Sequence, residues 1–490
     1  MAFNMLVSLY TSRVVLDSLG VDDYGVYNVV GGFVGLFSMI SGSLAAAISR
    51  FLTFELGRGE TPKLNNVFCT SVIIQFIIAA IVLVFSETVG LWFVNTQLVI
   101  PPTRLAAAHV AYQCSIATFI IGILSTPYNA VVVAHEKMSF FAIMSVSISI
   151  AKLIIAISLS LVSSDRLIFY AVLIAVIALV DRIVYGVYCS RNFEETHFHF
   201  CFERSLIAKI FGFAGWNSFG VVSSLLMTQG VNILVNIFFG LTCNAARGIA
   251  TQVESAIGQL SSNFTLALNP QITKEYAKGN SHRTLQLVYS GSKLSFLLML
   301  LVSLPILFET ETILGLWLVS TPDFAVLFAR LAILVSLLSI VSQTLVSAML
   351  ATGKIRNYQI VVGGLGLLIY PIVWALYKLG FPVYVSYVVH FLIFVVQLAT
   401  RLVMLRKMIG LDPLYFIRHV LLKDVEVVAL SIVLPIAITV CIEPSVPRFI
   451  LTTLTAIIST IISAYFVGLS PQEKNIVLDL AGNMFKRLSK

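Results

Sequence analysis

Apolar runs of about 20 residues recur along this chain from one end to the other, and they limit its fold more than any other feature. A helix rises about 1.5 Å per residue, so each run is long enough to cross a hydrocarbon core of roughly 30 Å. With 58% hydrophobic and only 11% charged residues, the 490-residue chain also lacks the polar surface of a water-soluble fold. The sequence therefore predicts an all-α, polytopic membrane protein. We place about fourteen spans, at residues 6–19, 24–48, 67–85, 105–133, 140–162, 167–189, 216–239, 245–268, 287–308, 327–350, 359–379, 383–405, 427–442 and 449–467.

The lysine and arginine residues indicate how the helices are oriented, because short cytoplasmic loops are enriched in these residues. Most of the 31 lie in alternate connections, for example around Lys63, Lys137, Lys278 and Lys354. This bias predicts that both termini face the cytoplasm. The net charge of +8 then favours anionic membrane lipids as partners. A nucleic-acid partner is not expected, because the basic residues are dispersed over many loops and form no continuous patch.

Two similar sequence motifs indicate an internal duplication: "ETVGLWFVNT" around Trp92 and "ETILGLWLVST" around Trp317. Placing Gly20 on Gly240 also places Gly59 on Gly279, with no gap between them. Each copy covers about six helices, and an even number of crossings keeps both copies in the same orientation, as in alternating-access transporters. We predict a pair of parallel six-helix lobes at residues 1–205 and 206–423. Two extra helices and a cytoplasmic amphipathic tail are predicted at residues 424–490.

The first helix is shorter than its counterpart in the second copy. The segment "FAGWNSFG" at residues 213–220 of the second copy has no equivalent in the first copy, which starts at Met1. We therefore expect the native start of the protein to lie upstream of Met1.

Three segments suggest a family: "LYTSRVVLDSLGVDDYGVYNVVGG" near the start, and "FAGWNSFG" and "NAARGIATQV" at the start of the second copy. They resemble polysaccharide-exporter and O-antigen-flippase members of the multidrug/oligosaccharidyl-lipid/polysaccharide (MOP) exporter superfamily. The resemblance implies MATE-like lobes and a flippase of the bacterial inner membrane that acts in lipopolysaccharide or capsule synthesis. Its substrate would be an undecaprenyl-diphosphate-linked oligosaccharide, moved from the inner to the outer leaflet, and its partners would include the glycan-assembly machinery.

A lipid diphosphate carries about two negative charges, so its headgroup requires a polar and preferably cationic path through the membrane. The resemblance implies that basic residues on the first, second and eighth helices bind the diphosphate, and three basic residues here occupy similar locations. For Arg50, as for Lys293 and Arg330, the alternative is that the side chain snorkels to a nearby membrane surface. The candidate substrate-binding cations are Arg13, Arg50, Lys152 and Arg247.

Asp181, Glu254 and His390 are candidates for coupling transport to H⁺ or Na⁺, because ionisable residues inside membrane spans often carry ions. Glu254 follows Arg247 by two helical turns, which places both on one face of a helix. Asp181 and Arg182 are neighbours in sequence and are not expected to pair with each other. The alternatives are a structural salt bridge for the acids and a hydrogen-bonded packing role for the histidine.

Enzymatic and cofactor-binding motifs are weak in this sequence. The one Gly-Lys step, in "ATGKI" around Lys354, lacks the leading glycine and trailing hydroxyl of a nucleotide-binding loop. Cys189, His197, His199 and Cys201 do not have the spacing of a standard zinc site. We therefore expect no enzymatic activity, no cofactor and no metal.

Two other functions remain open. An ion-coupled multidrug efflux transporter would share the architecture and differ in the residues that bind its cargo. A polytopic lipid-linked glycosyltransferase or polymerase is a further alternative, but we expect such an enzyme to need an extended outer loop, and the outer loops here are short.

Overall fold

The computed structural model describes residues 37–96, 102–161, 165–201, 203–318, 322–471, 473 and 474, together with some residues between Val7 and Tyr27. Within this part of the chain every regular element is a helix, which confirms the predicted all-α fold. The predicted amphipathic tail falls almost wholly at residues 475–490, outside the described residues. The first two predicted spans lie only partly within them.

The chain divides into two compact units, Met1–Ser218 and Phe219–Lys490. The first unit contains α1 (Ser38–Arg58), α2 (Thr61–Thr96), α3 (Leu105–Ala134), α4 (Met138–Leu161), α5 (Arg166–Asn192) and the beginning of α6 (Arg204–Gly240). The second contains the rest of α6, then α7 (241–277), α8 (Ser281–Phe308), α9 (Thr310–Trp317), α10 (Ala325–Thr352), α11 (Arg356–Lys378), α12 (Val385–Ile409), α13 (Pro413–Cys441) and α14 (Val446–Gly468). Short π-helical turns interrupt several of these helices, at Ser86–Gly90, Leu226–Gly230, Gln359–Gly363, Ile417–Leu421 and Ala464–Gly468.

Eleven of the described helices are long and apolar enough to cross a membrane. They correspond to eleven of the predicted spans, and the predicted span at 245–268 lies within the helical α7. Three predicted boundaries are displaced by more than ten residues. The helix α2 continues to Thr96, and α6 begins at Arg204. The span placed at 427–442 is only the second half of α13, which begins at Pro413. The charged residues between 418 and 426 concealed this start, because they interrupt the apolar run.

The duplication extends to the backbone. Gly20 and Gly240 have φ angles of 78° and 80°, and Gly59 and Gly279 have φ angles of 73° and 75°. Residues with a side chain rarely adopt this positive-φ conformation. Both glycine pairs that the sequence alignment matched therefore share a backbone conformation that favours glycine, as a duplication would require.

Exposed aliphatic side chains cover the outer faces of several helices. On α4 and α5 they include Ile143, Ile154, Val176 and Ile183, and on α14 they include Ile450. Water would make such surfaces unfavourable, whereas lipid tails accept them. These surfaces and the helix lengths describe a multi-pass membrane protein.

The core of the second unit joins α6, α7, α10, α11 and α12. Val231, Ala250, Phe328 and Val373, one from each of the first four of these helices, are almost completely buried and pack in one apolar cluster. A core packed this densely holds its neighbouring side chains in fixed positions. The polar residues described next lie against it.

Candidate functional site

Arg247 is the central residue of a buried polar cluster in the second unit. It lies on α7, two turns beyond Gly240, where the backbone turns sharply and brings α6 back alongside α7. Its Nε donates to Asn232 Oδ1 at 2.5 Å, and its Nη1 donates to Ser386 Oγ at 3.2 Å. The guanidinium also stands 5.1 Å from the centroid of the Tyr387 ring. Three helices, α6, α7 and α12, thus hold a side chain that is only 6% exposed.

The positive charge of Arg247 has neutral partners only. In the described part of the chain, no carboxylate oxygen lies within 4.0 Å of its nitrogen atoms, and its hydrogen bonds go to an amide and a hydroxyl. A buried charge without an opposite charge is unfavourable. Such a side chain is suited to receive an anionic group, which would supply the missing charge.

Glu254 lies on the same helix, as the spacing predicted, and within electrostatic range of Arg247. Its Oε1 accepts a hydrogen bond from Ser336 Oγ on α10 at 2.8 Å. Glu254 and Arg247 form no direct ion pair within 4.0 Å among the described residues. The cluster therefore contains a cation and an acid that are near each other but separate.

His390 completes the cluster from α12. Its Nδ1 donates to the backbone carbonyl of Ser386 at 2.9 Å, and its side chain is 7% exposed. Three of the predicted candidates, Arg247, Glu254 and His390, are thus brought together in one unit. Sequence reasoning missed Asn232 and Ser386, because small neutral polar residues are common in membrane helices and carry no distinctive signal.

The candidates in the first unit have different surroundings. Lys152 has an exposed side chain on α4 and interacts electrostatically with Asp181 on α5, which is half-buried. The guanidinium of Arg182 lies 3.9 Å from the centroid of the Tyr128 ring, so it points away from its neighbour Asp181 towards α3. Lys152 and Asp181 are therefore opposite charges on α4 and α5 that interact through space, without an ion pair within 4.0 Å among the described residues.

Arg50 and Arg13 are both separate from that pair. The guanidinium of Arg50, near the end of α1, lies 4.7 Å and 4.6 Å from the centroids of the Phe51 and Phe54 rings. Contacts of this kind stabilise a cation without neutralising it. Arg13 is helical and exposed.

The loop between α5 and α6 carries the cysteines and histidines considered for zinc. Glu195 Oε1 forms a hydrogen bond with His135 Nε2, and His199 Nδ1 lies 3.4 Å from Cys69 Sγ. Burial raises the pKa of the Glu195 carboxyl, but the hydrogen bond with His135, a hydrogen bond from the backbone of Glu195 and the charge of His135 together lower the pKa below its usual range. Among the described residues, no three His, Cys, Asp or Glu side chains gather in a way that could hold a metal ion. The loop contacts therefore fasten α2, α3 and the loop together.

The fold and the buried ionisable groups define a polytopic α-helical membrane protein, and solved structures of MATE proteins share this fold. A MATE protein in complex with MaL6 aligns with a TM-score of 0.71 at 11% identity, covering 84% of this chain and 94% of that one. A MOP superfamily transporter from Pyrococcus furiosus, described with a binding pocket of reverse polarity that suggests a different function, aligns with a TM-score of 0.69 at 12% identity. That alignment covers 83% of this chain and 94% of the other. At these identities the likeness shows the fold alone.

The sequence supplies the family. Residues 2–260 match the family described as "Polysaccharide biosynthesis protein", and the chain belongs to that family. A relative in Bacillus subtilis (strain 168), the "Uncharacterized membrane protein EpsK", is 20% identical over 308 residues, which are 61% of this chain. The chain spans 59% of the length of that relative. The predicted membership of the MOP superfamily is confirmed.

Proposed function

We propose that this protein is a flippase that moves an undecaprenyl-diphosphate-linked oligosaccharide, such as an O-antigen or capsular repeat unit, from the inner to the outer leaflet of a bacterial inner membrane. It acts by alternating access and performs no chemical reaction on its cargo. Membership of the polysaccharide biosynthesis family supports the class of cargo.

The observation that carries the proposal is the buried Arg247 with its neutral partners. A diphosphate brings the negative charge that Arg247 lacks, and a guanidinium can donate two parallel hydrogen bonds to phosphate oxygens. Asn232 and Ser386 hold the Arg247 side chain in one orientation before the substrate arrives. A side chain fixed in this way loses little conformational entropy when it binds its ligand.

Complementation of a flippase-deficient strain tests this role. Arg247→Gln removes the charge and keeps hydrogen-bonding capacity. Arg247→Lys keeps the charge but loses the planar guanidinium that can donate two parallel hydrogen bonds. A hydrogen bond to a charged group contributes about 1.5–3 kcal/mol, so we expect Arg247→Gln to reduce substrate affinity about tenfold or more. Surface glycan should fall, lipid-linked oligosaccharide should accumulate on the inner leaflet, and Arg247→Lys should retain part of the activity.

A matched control separates the site from general effects of charge. Arg283 lies exposed on α8 and donates to Gln286, so Arg283→Gln changes the same residue type outside the cluster. This variant should export normally. Normal surface glycan in Arg247→Gln, at wild-type protein levels in the membrane, would reject the site. Lys152→Gln tests the first unit in the same assay.

Multidrug efflux is the second candidate function, and Glu254 is the observation that favours it. Its half-buried carboxyl accepts a hydrogen bond from Ser336 and could receive a cationic drug. If Glu254→Gln abolishes resistance to cationic drugs while Arg247→Gln leaves glycan export unchanged, efflux replaces export of the lipid-linked oligosaccharide. Equilibrium binding of undecaprenyl diphosphate to the purified protein distinguishes the two functions directly.

A further inference from the structure

A second set of buried charges lies where α13 and α14 pack against α8, away from the Arg247 cluster. It consists of Lys293 on α8, Asp424 on α13 and Glu473 just beyond α14, with exposures of 6%, 3% and 7%. Sequence reasoning allowed Lys293 to snorkel to the membrane surface, but this lysine is buried and paired. Asp424 was missed because the sequence placed the start of its span three residues later, at residue 427.

Glu473 is the fully paired carboxylate of the set. Lys293 Nζ lies 2.6 Å from Glu473 Oε2, and the backbone N–H of Ser470 donates to the same oxygen at 2.8 Å. The side chain of Ser290 adds a further hydrogen bond. Burial raises the pKa of the Glu473 carboxyl, but these hydrogen bonds outweigh it and hold the pKa below its usual range. The positive charge of Lys293 is therefore balanced by Glu473.

Asp424 is the opposite case. Both of its carboxyl oxygens are inaccessible to solvent and neither has a hydrogen-bond partner. It lies within electrostatic range of Lys293 and Glu473. Together the three side chains contain one basic group and two acidic groups. One of the two carboxyls is therefore left without a counter-charge.

Several other charged groups on the packed elements have contacts elsewhere. Arg283 on α8 donates to Gln286, and His419 on α13 is hydrogen-bonded to the carbonyl of Tyr415. Lys423 and Glu426 pair with each other on the exposed side of α13, with Nζ 2.6 Å from Oε2. On α14, Arg448 pairs with Glu309 at the opposite end of the helix. Beyond α14, Lys474 stands 5.2 Å from the centroid of the Tyr465 ring. None of these groups balances Asp424, and a bare buried carboxylate is strongly unfavourable.

We propose that Asp424 is a proton-binding site, in which the proton forms an O–H bond with the carboxylate and so balances the charge of the buried set. A proton needs only one oxygen atom. A metal cation of the hard class needs several oxygen ligands, and in the described part of the chain no three His, Cys, Asp or Glu side chains gather in a way that could hold a metal ion. Proton binding at Asp424 is independent of the nature of the exported molecule.

Hydroxyl groups continue from Asp424 along the contact between α13 and α14. Ser431 lies two turns further along the same face of α13, and Ser459 Oγ on α14 donates to its backbone carbonyl at 2.8 Å. The hydroxyls of Ser431 and Thr452 are buried and, like the Asp424 carboxyl, have no partner. Because a hydroxyl both donates and accepts, such groups together with water can pass a proton to and from Asp424.

Loss of the proton would change the neighbouring ion pair. An ionised Asp424 competes with Glu473 for the single ammonium group of Lys293. The bond between Lys293 and Glu473 ties the segment after α14 to α8. The proton on Asp424 thereby strengthens the attachment of this segment.

Infrared spectroscopy of the purified full-length protein, in sodium-free buffer, tests the site. We expect a carbonyl stretching band of a protonated carboxylic acid at neutral pH, and its loss in Asp424→Asn. Asp412→Asn is the control, because Asp412 is an exposed carboxylate that caps the same helix through a hydrogen bond from Leu414 N, which asparagine can also accept. An unchanged band in Asp424→Asn overturns the proposal.

Thermal stability gives an independent measurement. If folding retains a proton that the unfolded chain releases, wild-type stability falls as pH rises. The melting temperature of Asp424→Asn minus that of the wild type should therefore increase from pH 5 to pH 9, roughly the range in which most proteins are stable. For Asp412→Asn this difference should stay constant. A loss of stability in Asp424→Asn at neutral pH would identify Asp424 as an ionised partner of Lys293 and overturn the proposal.

Two further outcomes are decisive. Stabilisation of the wild type by sodium over choline at neutral pH, absent from Asp424→Asn, would mean that a sodium ion occupies the site instead of a proton. If Asp424→Asn does not fold, ¹³C-aspartate labelling in an Asp181→Asn background tests the same point. A protonated-acid band that shifts with the label supports the proposal, and the absence of such a band overturns it.

Discussion

Removal of the cation from the Glu309–Arg448 pair should destabilise the attachment of α14 to the end of α8. Glu309 is completely buried, its Oε1 lies 3.1 Å from Arg448 Nε, and its Oε2 accepts from Arg448 Nη2 at 3.1 Å. Thr312 Oγ1 donates to the same Oε2 at 2.7 Å. In Arg448→Gln the carboxylate keeps the threonine but loses its only cation among the described residues. The variant therefore leaves a buried negative charge unbalanced.

The expected loss is about 3–5 kcal/mol in the free energy of unfolding, the usual cost of breaking a buried ion pair by removing one partner. Little of it is screened by solvent, since the side chain of Arg448 is 11% exposed and that of Glu309 is 0% exposed. In Glu309→Gln/Arg448→Gln no bare charge remains, so most of the loss should be recovered. The Lys423–Glu426 pair on α13 is the control, with side chains 40% and 49% exposed. Its disruption by Lys423→Gln should cost only about 0–1 kcal/mol.

Thermal or denaturant unfolding of the purified protein in one detergent, followed by tryptophan fluorescence, compares the wild type with Arg448→Gln, Glu309→Gln, the double variant and Lys423→Gln. The single and double variants with Glu309→Gln form a double-mutant cycle that isolates the interaction between the two side chains. If Arg448→Gln is no more destabilising than Lys423→Gln, or if the double variant is as unstable as the single one, the pair does not hold α14 in the way inferred.

Two other predictions follow from the backbone and from the loops. Gly240→Ala should destabilise the protein by about 1–3 kcal/mol in an unfolding experiment, because an added Cβ meets no atom but the φ angle of 80° is strained for alanine. Gly248→Ala, with open space and an ordinary φ, should be neutral or stabilising, and equal losses in both variants would contradict the role of Gly240. Burial raises the pKa of the Asp165 carboxyl, but Arg104 and the N–H groups of Ile168 and Leu167 together lower it below its usual range. Stability from this carboxylate is present above the pKa of the unfolded chain and is lost as pH falls through the lowered pKa. Arg104→Gln should therefore reduce the dependence of the melting temperature on pH between neutral and acid, and an unchanged profile would refute the link.

The amino-acid sequence by itself determined the class of protein, most of the helices and the duplication. Hydrophobic runs and glycine positions are local properties, and the membrane requires each span to satisfy its own backbone hydrogen bonds. The match of Gly20 to Gly240 and of Gly59 to Gly279 could therefore be predicted from the sequence alone, and the positive φ angles of all four glycines agree with it. The spacing of Arg247 and Glu254 also predicted correctly that they share one helix.

Only the tertiary structure decided which polar side chains meet. Arg247 bonds to Ser386 across 139 residues, and Glu309 pairs with Arg448 across the same separation. Nothing in one helix specifies the partner on another, because an apolar membrane helix shows little difference between its lipid-facing and protein-facing sides. Lys293 and Asp424 illustrate the consequence. The sequence placed the lysine within a span with access to the membrane surface and left the aspartate outside its span, whereas packing of α8, α13 and α14 buries both beside Glu473.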